Sequence, residues 1–579
     1  MSSIKTEDKP ALDLEAVMKR LENADGRQYW RSLEELSAGE GFQEMLQREF
    51  PRQAGEWTDP VSRRRFLTLM GASLALAGLS GCRPPGGKIV PNIKDPDGVT
   101  PGKPLFFATS MPMAGYGMGV LAESNQGRPT KIEGNKEHPA SLGATDVFAQ
   151  ASVLGLYDPD REVGLTYLGK PKSWEDLCAS LKADLARLPK GKGFYLLTET
   201  ITSPTLLNLL ENEFLKDYPE VQWYQHEPAV SDNSIAGLSK ALGVPVQPVY
   251  QLKTADVVLS LDADFLSRGP GHLRYAKDFS SRRDLEKLDS FNRLYVVESV
   301  LSSTGAKADN RLPVRAADIE RFAHLIAFFL KVEGVSEPKG FSAAERLWAE
   351  YAAEDIAARA KGTTLVIAGD EQPASLHSLV AAINDKLGNN GKTVLYIDPV
   401  HARPGDRAKS LRGLVDEIAA GKVQVLFVLG ANPVFTGGSD VGFQGALEKV
   451  PLRYRMGLYH DETSKLSHWH IPDSHYLESW GDTRSYDGTA SVVQPLVAPL
   501  YGGRSFVELL ANLGANPNRD AASLVKDFWK AWFEAPAQAS LKSSTTFEKF
   551  YRKSLHDGLV DGSRFSPKQV KLVADAVAE

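Results

Sequence analysis

The segment VQVLFVLGANPVF, residues 423–435, places an apolar run directly before a turn. Apart from Gln424, the run consists of valine, leucine and phenylalanine, which are favoured in strands. A run this continuous is typical of a strand covered on both faces, as in a parallel α/β sheet. Gly430, Asn432 and Pro433 follow at the carboxyl end of the strand, where such sheets bind their ligands. The segment therefore predicts a buried parallel strand with a candidate anion-binding turn.

Further segments of the same kind lie at residues 193–199, 255–263, 292–300, 363–369 and 392–398. Between them lie patterns with helical spacing, among them SPTLLNLLENEFLKD (203–217) and IERFAHLIAFFLKV (319–332). Strands that alternate with helices build parallel sheets with helices on both faces. We therefore predict an α/β protein with two or more doubly wound, Rossmann-like units. LDADFLSRGPG (261–271) is a second candidate ligand turn.

The composition limits the classes of function. The chain has 579 residues, 42% of them hydrophobic, and a formal net charge of −6. It shows no sign of the concentrated basic surface that a nucleic-acid partner requires. Two cysteines, Cys82 and Cys178, are too few for a cluster held by thiolates. Cys178 lies in the helical pattern WEDLCASLKADLARL and is predicted to be a buried structural thiol.

The segment VSRRRFLTLMGASLALAGLSGCRPPGG, residues 61–87, has the charge order of an export signal. Three arginines precede an uncharged run from Phe66 to Gly81, which is too short and too rich in small residues for a membrane-spanning helix. We predict that Arg63 and Arg64 form a twin-arginine export signal and that Cys82 is the lipid-modified cysteine of a lipobox. A short buried helix is the alternative interpretation.

This signal divides the N-terminal part of the chain into three predicted regions. Residues 1–60 have helical spacing and form a cytoplasmic leader, and residues 61–82 are the signal and lipobox. Residues 83–103 are rich in proline and glycine and form an extended tether. Because one acyl chain binds a membrane only weakly, we expect several lipid chains or a membrane partner.

Six segments follow one another along the body: GRPTKIEGNKEHPASLGATD (127–146), LYDPDR (156–161), ADVVLSLDADFLSRGP (255–270), VVESVLSSTGAKADNRLPVRAAD (296–318), VQVLFVLGANPVF (423–435) and IPDSHYLESWGDTRSYDGT (471–489). In this order they resemble the large subunit of the molybdopterin oxidoreductases. The resemblance covers residues 104–503. It implies Rossmann-like domains that hold a bis(guanine dinucleotide) molybdopterin cofactor between them.

The chain departs from that family at the positions that hold cofactors. Family members with a [4Fe–4S] cluster carry four cysteines around an early β-ribbon, and residues 107–146 contain none. Ser141, Thr145 and Asp146 lie near the place of the family's molybdenum ligand, and nothing in the sequence assigns them that role. Residues 504–579 have helical spacing where the family has a β-rich domain. We therefore expect neither molybdopterin guanine dinucleotide nor a [4Fe–4S] cluster in this chain.

A narrower resemblance fits these departures. The displaced twin-arginine signal, the cysteine-free ribbon and PDSHYLESWGDTRSYDGT (472–489) resemble part of the iron–sulfur subunit of alternative complex III, a bacterial quinol:electron-acceptor oxidoreductase. That part is molybdopterin-oxidoreductase-like and cofactor-free. The resemblance implies a non-catalytic structural or docking subunit, lipid-anchored on the periplasmic side of the inner membrane. It also implies iron–sulfur, multihaem cytochrome c and quinol-binding membrane subunits as partners, and a ferredoxin-like portion that a split or truncated product would lack.

Other functions stay open on the sequence. One is an active molybdenum oxidoreductase with an unusual metal ligand, and another is a periplasmic binding module that uses the former cofactor cleft. A metal site is a further alternative, because His468 and His470 alternate on a predicted strand and His475 follows closely. No carboxylate or cysteine completes a family-like set around them. A serine hydrolase is disfavoured by the lack of a G-x-S-x-G nucleophile turn.

Overall fold

A computed structural model describes most of the chain from residue 99 to residue 573. The described residues are 99–100, 102–228, 232–284, 286, 290–404, 407–513 and 519–573, with 407–409 described by their backbone alone. Arg63, Arg64 and Cys82 lie outside them, as do the leader 1–60 and most of the tether 83–103. The roles assigned to those residues therefore stay predictions.

The strands of the described residues are β1 Leu105–Met113, β2 Tyr116–Asn125, β3 Arg128–Gly134, β4 Thr166–Tyr167, β5 Lys170–Pro171, β6 Phe194–Thr198, β7 Gln222–Gln225, β8 Gln247–Tyr250, β9 Val257–Leu261, β10 Arg293–Glu298, β11 Asn310–Pro313, β12 Thr364–Ala368, β13 Val394–Ile397, β14 Val425–Leu429, β15 Leu452–Gly457, β16 Trp469–Pro472, β17 Gly481–Arg484 and β18 Ala490–Val493.

The α-helices of the same residues are α1 Val147–Leu156, α2 Trp174–Arg187, α3 Pro204–Asn208, α4 Asn233–Leu242, α5 His272–Ser280, α6 Ile319–Phe329, α7 Ala343–Ala357, α8 Ala374–Lys386, α9 Arg407–Ala419, α10 Pro433–Thr436, α11 Phe443–Leu447, α12 Glu462–Lys465, α13 Phe506–Leu513, α14 Ala521–Glu534, α15 Ala539–Ser544 and α16 Phe547–Asp557. Helix α3 continues through a π-helical segment, Leu209–Phe214, into a last turn, Leu215–Asp217.

The first parallel sheet, sheet I, has the strand order β5-β4-β16-β15-β14-β6-β7. The strands from β16 to β7 are parallel, and β4 joins β16 in the antiparallel direction. Alternate residues of its central strands enter two different apolar clusters. Leu196 and Phe427 belong to one cluster, whereas Leu197 and Val428 belong to the other. Both faces of the sheet are therefore covered, which explains the continuous apolar runs in the sequence.

The second parallel sheet, sheet II, has the order β11-β10-β9-β12, with every pair parallel. Its neighbouring residues also enter two clusters, Val258 on one face and Val257 on the other. All of its strands lie, in the sequence, between β7 and β14 of sheet I. The unit built on sheet II, called the inserted unit, is therefore an insertion in the unit built on sheet I. The prediction of an α/β fold with parallel sheets covered on both faces is confirmed.

Two expectations need correction. The strand predicted at 392–398 is present as β13, but it pairs antiparallel with β8 and belongs to neither large sheet. Cys178 lies in α2 as predicted, but its side chain is half-buried, because the buried stripe of α2 is formed by Leu177, Leu181 and Leu185. The remaining contact with protein raises the pKa of the Cys178 thiol through desolvation.

A ribbon and a helical region complete the body. Strands β1, β2 and β3 form an antiparallel ribbon, and α1 packs against β3. The residues after 504 contribute helices, and Trp529 of α14 donates from Nε1 to Asp482 Oδ2 at 3.0 Å. The chain then passes to the inserted unit, where the Lys568 N–H donates to the Tyr396 carbonyl oxygen at 2.7 Å. The final segment thus connects the β17–β18 hairpin region to the inserted unit.

Candidate functional sites at the ends of the two sheets

Each parallel sheet has a switch point, where neighbouring strands lead the chain away in opposite directions. In sheet I it lies between β6 and β14, because β7 follows β6 on one side and β15 follows β14 on the other. In sheet II it lies between β9 and β12, with β10 on the far side of β9. Doubly wound folds bind ligands outside the carboxyl ends of their strands at such points. We call these candidate sites switch point I and switch point II.

Switch point I is formed by Glu199, directly after β6, and Gly430, directly after β14. Gly430 has a φ of +72°, and a Cβ at this position would lie 2.7 Å from Oε2 of Glu199. The positive φ favours glycine, and an added Cβ would have to displace the flexible Glu199 side chain. Arg455 of β15 donates from Nη2 to the Gly430 carbonyl oxygen at 3.0 Å and to Asp461 Oδ2 at 2.6 Å. The charge of Arg455 acts on the Glu199 carboxyl, so the site combines a carboxyl group with an arginine held by Gly430 and Asp461.

Two carboxyl groups near switch point I, those of Glu199 and Asp473, have raised pKa values. Desolvation, and then the negative charge of Glu227, raise the pKa of Glu199 to about 7, although Arg455 lowers it. Desolvation also raises the pKa of Asp473, directly after β16, to about 7. Such groups can exchange protons or receive a cation, whereas they repel a polyanion when charged.

The side chain of Asn432, in the turn after β14, forms hydrogen bonds with other residues of the protein. The Asn432 Oδ1 accepts from the Thr463 N–H at 3.3 Å and from its hydroxyl at 2.7 Å, and the Asn432 Nδ2 donates to Glu462 at 2.8 Å. Glu462 and Thr463 begin α12. The polar side chain of the predicted anion-binding turn therefore holds a helix start of the same protein.

Switch point II is closed by close packing. A Cβ on Gly369, which follows β12, would lie 2.2 Å from the carbonyl oxygen of Asp262, which follows β9. The Asp262 side chain is also occupied, since Oδ1 accepts from the Ser299 N–H at 3.2 Å and Oδ2 accepts from Gln372 Nε2 at 2.9 Å. Backbone meets backbone at this point, so the ends of the two central strands pack directly against each other at switch point II.

The loop after β10 offers its backbone N–H groups to carboxylates of the same chain. Asp264 Oδ1 accepts from the Thr304 N–H at 2.9 Å and from its hydroxyl at 2.7 Å. Both oxygens of Glu298 accept from the Ser302 N–H at 3.3 Å, and a Cβ on Gly305 would lie 1.8 Å from the Glu298 Oε1. Tight loops at strand ends bind phosphate through such N–H groups. Here internal carboxylates take the place that a phosphate would need.

The residues near the expected molybdenum ligand serve local structure. The Ser141 hydroxyl donates to the Asn135 carbonyl oxygen at 2.8 Å, and Thr145 Oγ1 accepts from Gln150 Nε2 at 2.7 Å. Asp146 caps α1 by accepting the Ala149 N–H at 2.7 Å. The cysteine of the described residues, Cys178, lies on α2. The side chains of Ser141, Thr145 and Asp146 therefore serve the local structure, and the described residues contain a single cysteine thiolate donor, on α2.

The three histidines of the 468–475 segment have separate surroundings. His468 Nδ1 accepts from the Arg453 N–H at 3.1 Å, whereas His475 Nε2 lies 3.1 Å from the Ser152 carbonyl oxygen. His470 Nε2 lies 3.5 Å from Glu162 Oε2, and burial lowers the pKa of His470 to about 4. Within the described residues, no three or more His, Cys, Asp or Glu side chains form a group that could hold a metal ion.

The ribbon supplies a contact that sequence reasoning missed. Its turn lies against the loop after β6, where a Cβ on Gly115 would come within 2.3 Å of the Thr200 carbonyl oxygen. The Thr202 hydroxyl donates to the Gly115 carbonyl oxygen, and the Tyr116 hydroxyl lies 3.1 Å from His401 Nδ1. The adjacent Ala114 and Gly115 mark a turn in the sequence, but nothing in the sequence indicates its distant partners. The space beyond β6 is thus filled in part by the protein.

The chain is similar in sequence to a known protein. No protein-family model matches it. Over 462 residues it is 26% identical to the menaquinone reductase, molybdopterin-binding-like subunit of Nitratidesulfovibrio vulgaris. That match covers 72% of this chain and 65% of the length of the relative, so the chain spans less than two thirds of it. These values indicate relatedness over most of the described body.

The structural comparison agrees. Acetylene hydratase from Pelobacter acetylenicus superposes with a TM-score of 0.57 at 13% sequence identity, covering 77% of this chain and 74% of that chain. The fold is therefore similar to that of the molybdopterin oxidoreductases. Together with the sequence relative, it supports a molybdopterin oxidoreductase-like protein. In the described part of the chain, no helix has the length and apolar character needed to cross a membrane.

Proposed function

We propose that this chain is a non-catalytic structural and docking subunit of a membrane-associated, quinone-linked oxidoreductase of the alternative complex III type. One observation carries the proposal: Asp264 and Glu298 occupy the backbone N–H groups at the end of sheet II. A polyanionic dinucleotide would have to displace both carboxylates and would meet their negative charge. A subunit that holds partners at fixed distances has no need of that cofactor.

The relative supports the quinone-linked part of the proposal. Its name describes a molybdopterin-binding-like subunit of a menaquinone reductase. The chain covers 65% of that protein, so its partners are proposed rather than transferred. We propose iron–sulfur, multihaem cytochrome c and quinol-binding membrane subunits, with the iron–sulfur and haem groups carrying the electrons.

The proposal includes the place of the subunit in the cell. Export through the twin-arginine signal at Arg63 and Arg64, followed by lipidation of Cys82, would place the body on the periplasmic side of the inner membrane. Mass spectrometry of the mature protein tests this step and should find lipid on an N-terminal Cys82. An unmodified Cys82, or unchanged export of the Arg63→Lys, Arg64→Lys variant, would contradict it.

The function itself is tested on protein purified from its native membrane. We expect haem and iron–sulfur subunits to co-purify, with no molybdenum or pterin assigned to this chain after the subunits are separated. Reconstitution of the complex with and without this chain should show loss of assembly in its absence. Stoichiometric molybdenum in the separated chain would instead favour the active oxidoreductase, and full quinol oxidation without the chain would remove the docking role.

The binding-module alternative retains one supporting observation, the titratable carboxyl of Glu199 at switch point I, whose pKa is raised to about 7. Its position is where doubly wound folds bind ligands. A small cationic or hydrogen-bond-donating ligand would fit this carboxyl. Calorimetric titration of the protein and its Glu199→Gln variant with candidate amines distinguishes this function from docking, because docking requires no such ligand.

A further inference from the structure

The turn that leads into α1 has a strained backbone. Leu142 has a φ of +48°, and Gly143 after it has a φ of +87°. A leucine in this left-handed region is unfavourable and persists where the surrounding contacts hold it. The turn ends at Asp146, which caps α1 by accepting the Ala149 N–H at 2.7 Å. The start of α1 therefore depends on the contacts that hold residues 142–146.

Two side chains of α5, in the inserted unit, hold this turn. Lys277 Nζ donates to the Leu142 carbonyl oxygen at 2.6 Å. His272 Nε2 lies 3.4 Å from Asp146 Oδ2, and 9% of the His272 side chain is exposed. Between them, Leu273 packs against the apolar cluster beneath α1. We call residues 142–146, together with His272 and Lys277, the α5 latch.

The neighbours of the His272 ring fix its protonation state. Nδ1 lies 2.8 Å from the Gly269 carbonyl oxygen, which accepts and cannot donate, so Nδ1 carries a hydrogen. Nε2 faces the Asp146 carboxylate, whose other oxygen accepts the Ala149 N–H. If Nε2 had no hydrogen, a lone pair would face a buried carboxylate that had lost its counter-charge. The contacts of the latch are therefore complete when His272 is an imidazolium.

We propose that the α5 latch is a pH-sensitive device, closed when His272 is protonated and releasing the start of α1 when that proton is lost to solvent. The proton leaves from Nε2, and Asp146 keeps its negative charge. The bond from Lys277 to Leu142 does not depend on this proton, so the release is confined to Asp146 and the first turn of α1. The proposal goes beyond the docking role and involves no partner subunit.

The charges around the ring favour the imidazolium. Burial lowers the pKa of His272, but the bonds to Asp146 and Gly269 and the negative charges of Asp146 and Asp264 outweigh it. The pKa of His272 therefore lies above its ordinary value of 6.5. Burial raises the pKa of Asp146, but its hydrogen bonds to His272 and to backbone N–H groups bring it below the ordinary value of 3.8.

These directions give the pH range in which the latch opens. The stability from His272 is fully present below pH 6.5 and is lost as the pH rises through its raised folded-state pKa. The stability from Asp146 is lost below pH 3.8, outside the range of interest. Two cations lie nearby: Arg268 is paired with Glu371, and Lys277 is bonded to the turn itself. The latch should therefore loosen on the alkaline side of neutrality.

The test is hydrogen–deuterium exchange of the full chain, measured by mass spectrometry at pH 6 and pH 8.5. The N–H groups of Ala149 and Gln150 report on the latch, because they donate to the side chain and to the carbonyl oxygen of Asp146. Labelling times are scaled so that the intrinsic chemical exchange is equal at both pH values. Helix α8, which is largely buried, is the internal reference for unfolding of the whole body.

Asp146→Asn is the matched variant. Asparagine caps a helix about as well as aspartate, and it has no charge to retain the His272 proton. His272→Gln is the second variant, which removes the titrating ring and keeps a donor. Glu199 and Asp473, each with a pKa of about 7, titrate in the same range in all three chains, so their contribution is common to them.

We expect the unsubstituted chain to lose protection of these N–H groups several-fold between pH 6 and pH 8.5, relative to α8, and both variants to lack that change. Equal protection at the two pH values in the unsubstituted chain would overturn the proposal, as would the same loss in a folded variant. An equal loss in α8 would assign the effect to unfolding of the whole body and overturn it too. If α8 is unprotected in one variant at pH 6, that variant has not folded and the other decides.

Discussion

The two switch points share one topology and differ in what fills them. At switch point II, the Gly369 and Asp262 backbones are in contact, and the Asp262 carboxylate is hydrogen-bonded to Ser299 and Gln372. At switch point I, the flexible side chain of Glu199 lies against Gly430, and desolvation raises the pKa of its carboxyl to about 7. One site is closed by rigid backbone, whereas the other is closed only by a side chain that can move.

This difference shows two ways in which a ligand-binding fold can fill its ligand site. The inserted unit satisfies its loop donors with Asp264 and Glu298, so folding itself completes the site. Sheet I keeps a titratable group at the same topological place. Switch point I is therefore the site whose protonation state changes near neutral pH.

The largest expected effect is a contrast between two glycines. Gly369→Ala should destabilise the protein by about 3 kcal/mol, because its Cβ meets backbone atoms that cannot yield. Gly430→Ala should cost about 1–2 kcal/mol, mainly for a non-glycine residue at positive φ, since Glu199 can move aside. Urea unfolding followed by circular dichroism measures both. Equal losses would contradict the contrast between rigid and movable closure.

The next effect concerns the loop after β10. Asp264→Ala should destabilise the protein by about 2 kcal/mol, because it removes the acceptor of the buried Thr304 N–H and hydroxyl. Asp264→Asn is the matched control, since it keeps an acceptor oxygen and should lose less. Unfolding curves of the two variants provide the comparison. A loss as large in the Asn variant would show that charge, rather than the hydrogen bonds, holds the loop.

The smallest effect should depend on pH. The folded-state pKa of Glu199, about 7, lies above its ordinary value of 4.5, so the folded state keeps the proton to higher pH than the unfolded state. Stability from this group is present below pH 4.5 and is lost as the pH rises through 7. Glu199→Gln should therefore stabilise the protein at pH 8 by about 1 kcal/mol, after allowance for solvent screening, and have little effect at pH 4. A stabilisation that is the same at both values would contradict the assigned pKa.

The sequence predicted the elements better than their partners. The central strands were predictable because both of their faces are buried, as in the run from Val425 to Leu429. The antiparallel pairing of β13 was not, since an apolar run shows burial but not strand direction. Glu199 was missed as a site residue because its neighbours, Gly430 and Arg455, are distant in sequence. The segments that contain Asp264 and Asn432 were singled out as candidate ligand turns, but the internal partners of these side chains become visible only in three dimensions.

The insertion of one unit into the other has a consequence for folding kinetics. Strand β14 must pair with β6 across the entire inserted unit, so this contact has a very high contact order and a large loop-closure entropy. If the inserted unit forms first, it brings its two ends together and shortens the effective loop. Completion of sheet I would then wait for sheet II. A defect such as Gly369→Ala, located in the inserted unit, would slow the folding of the unit that surrounds it.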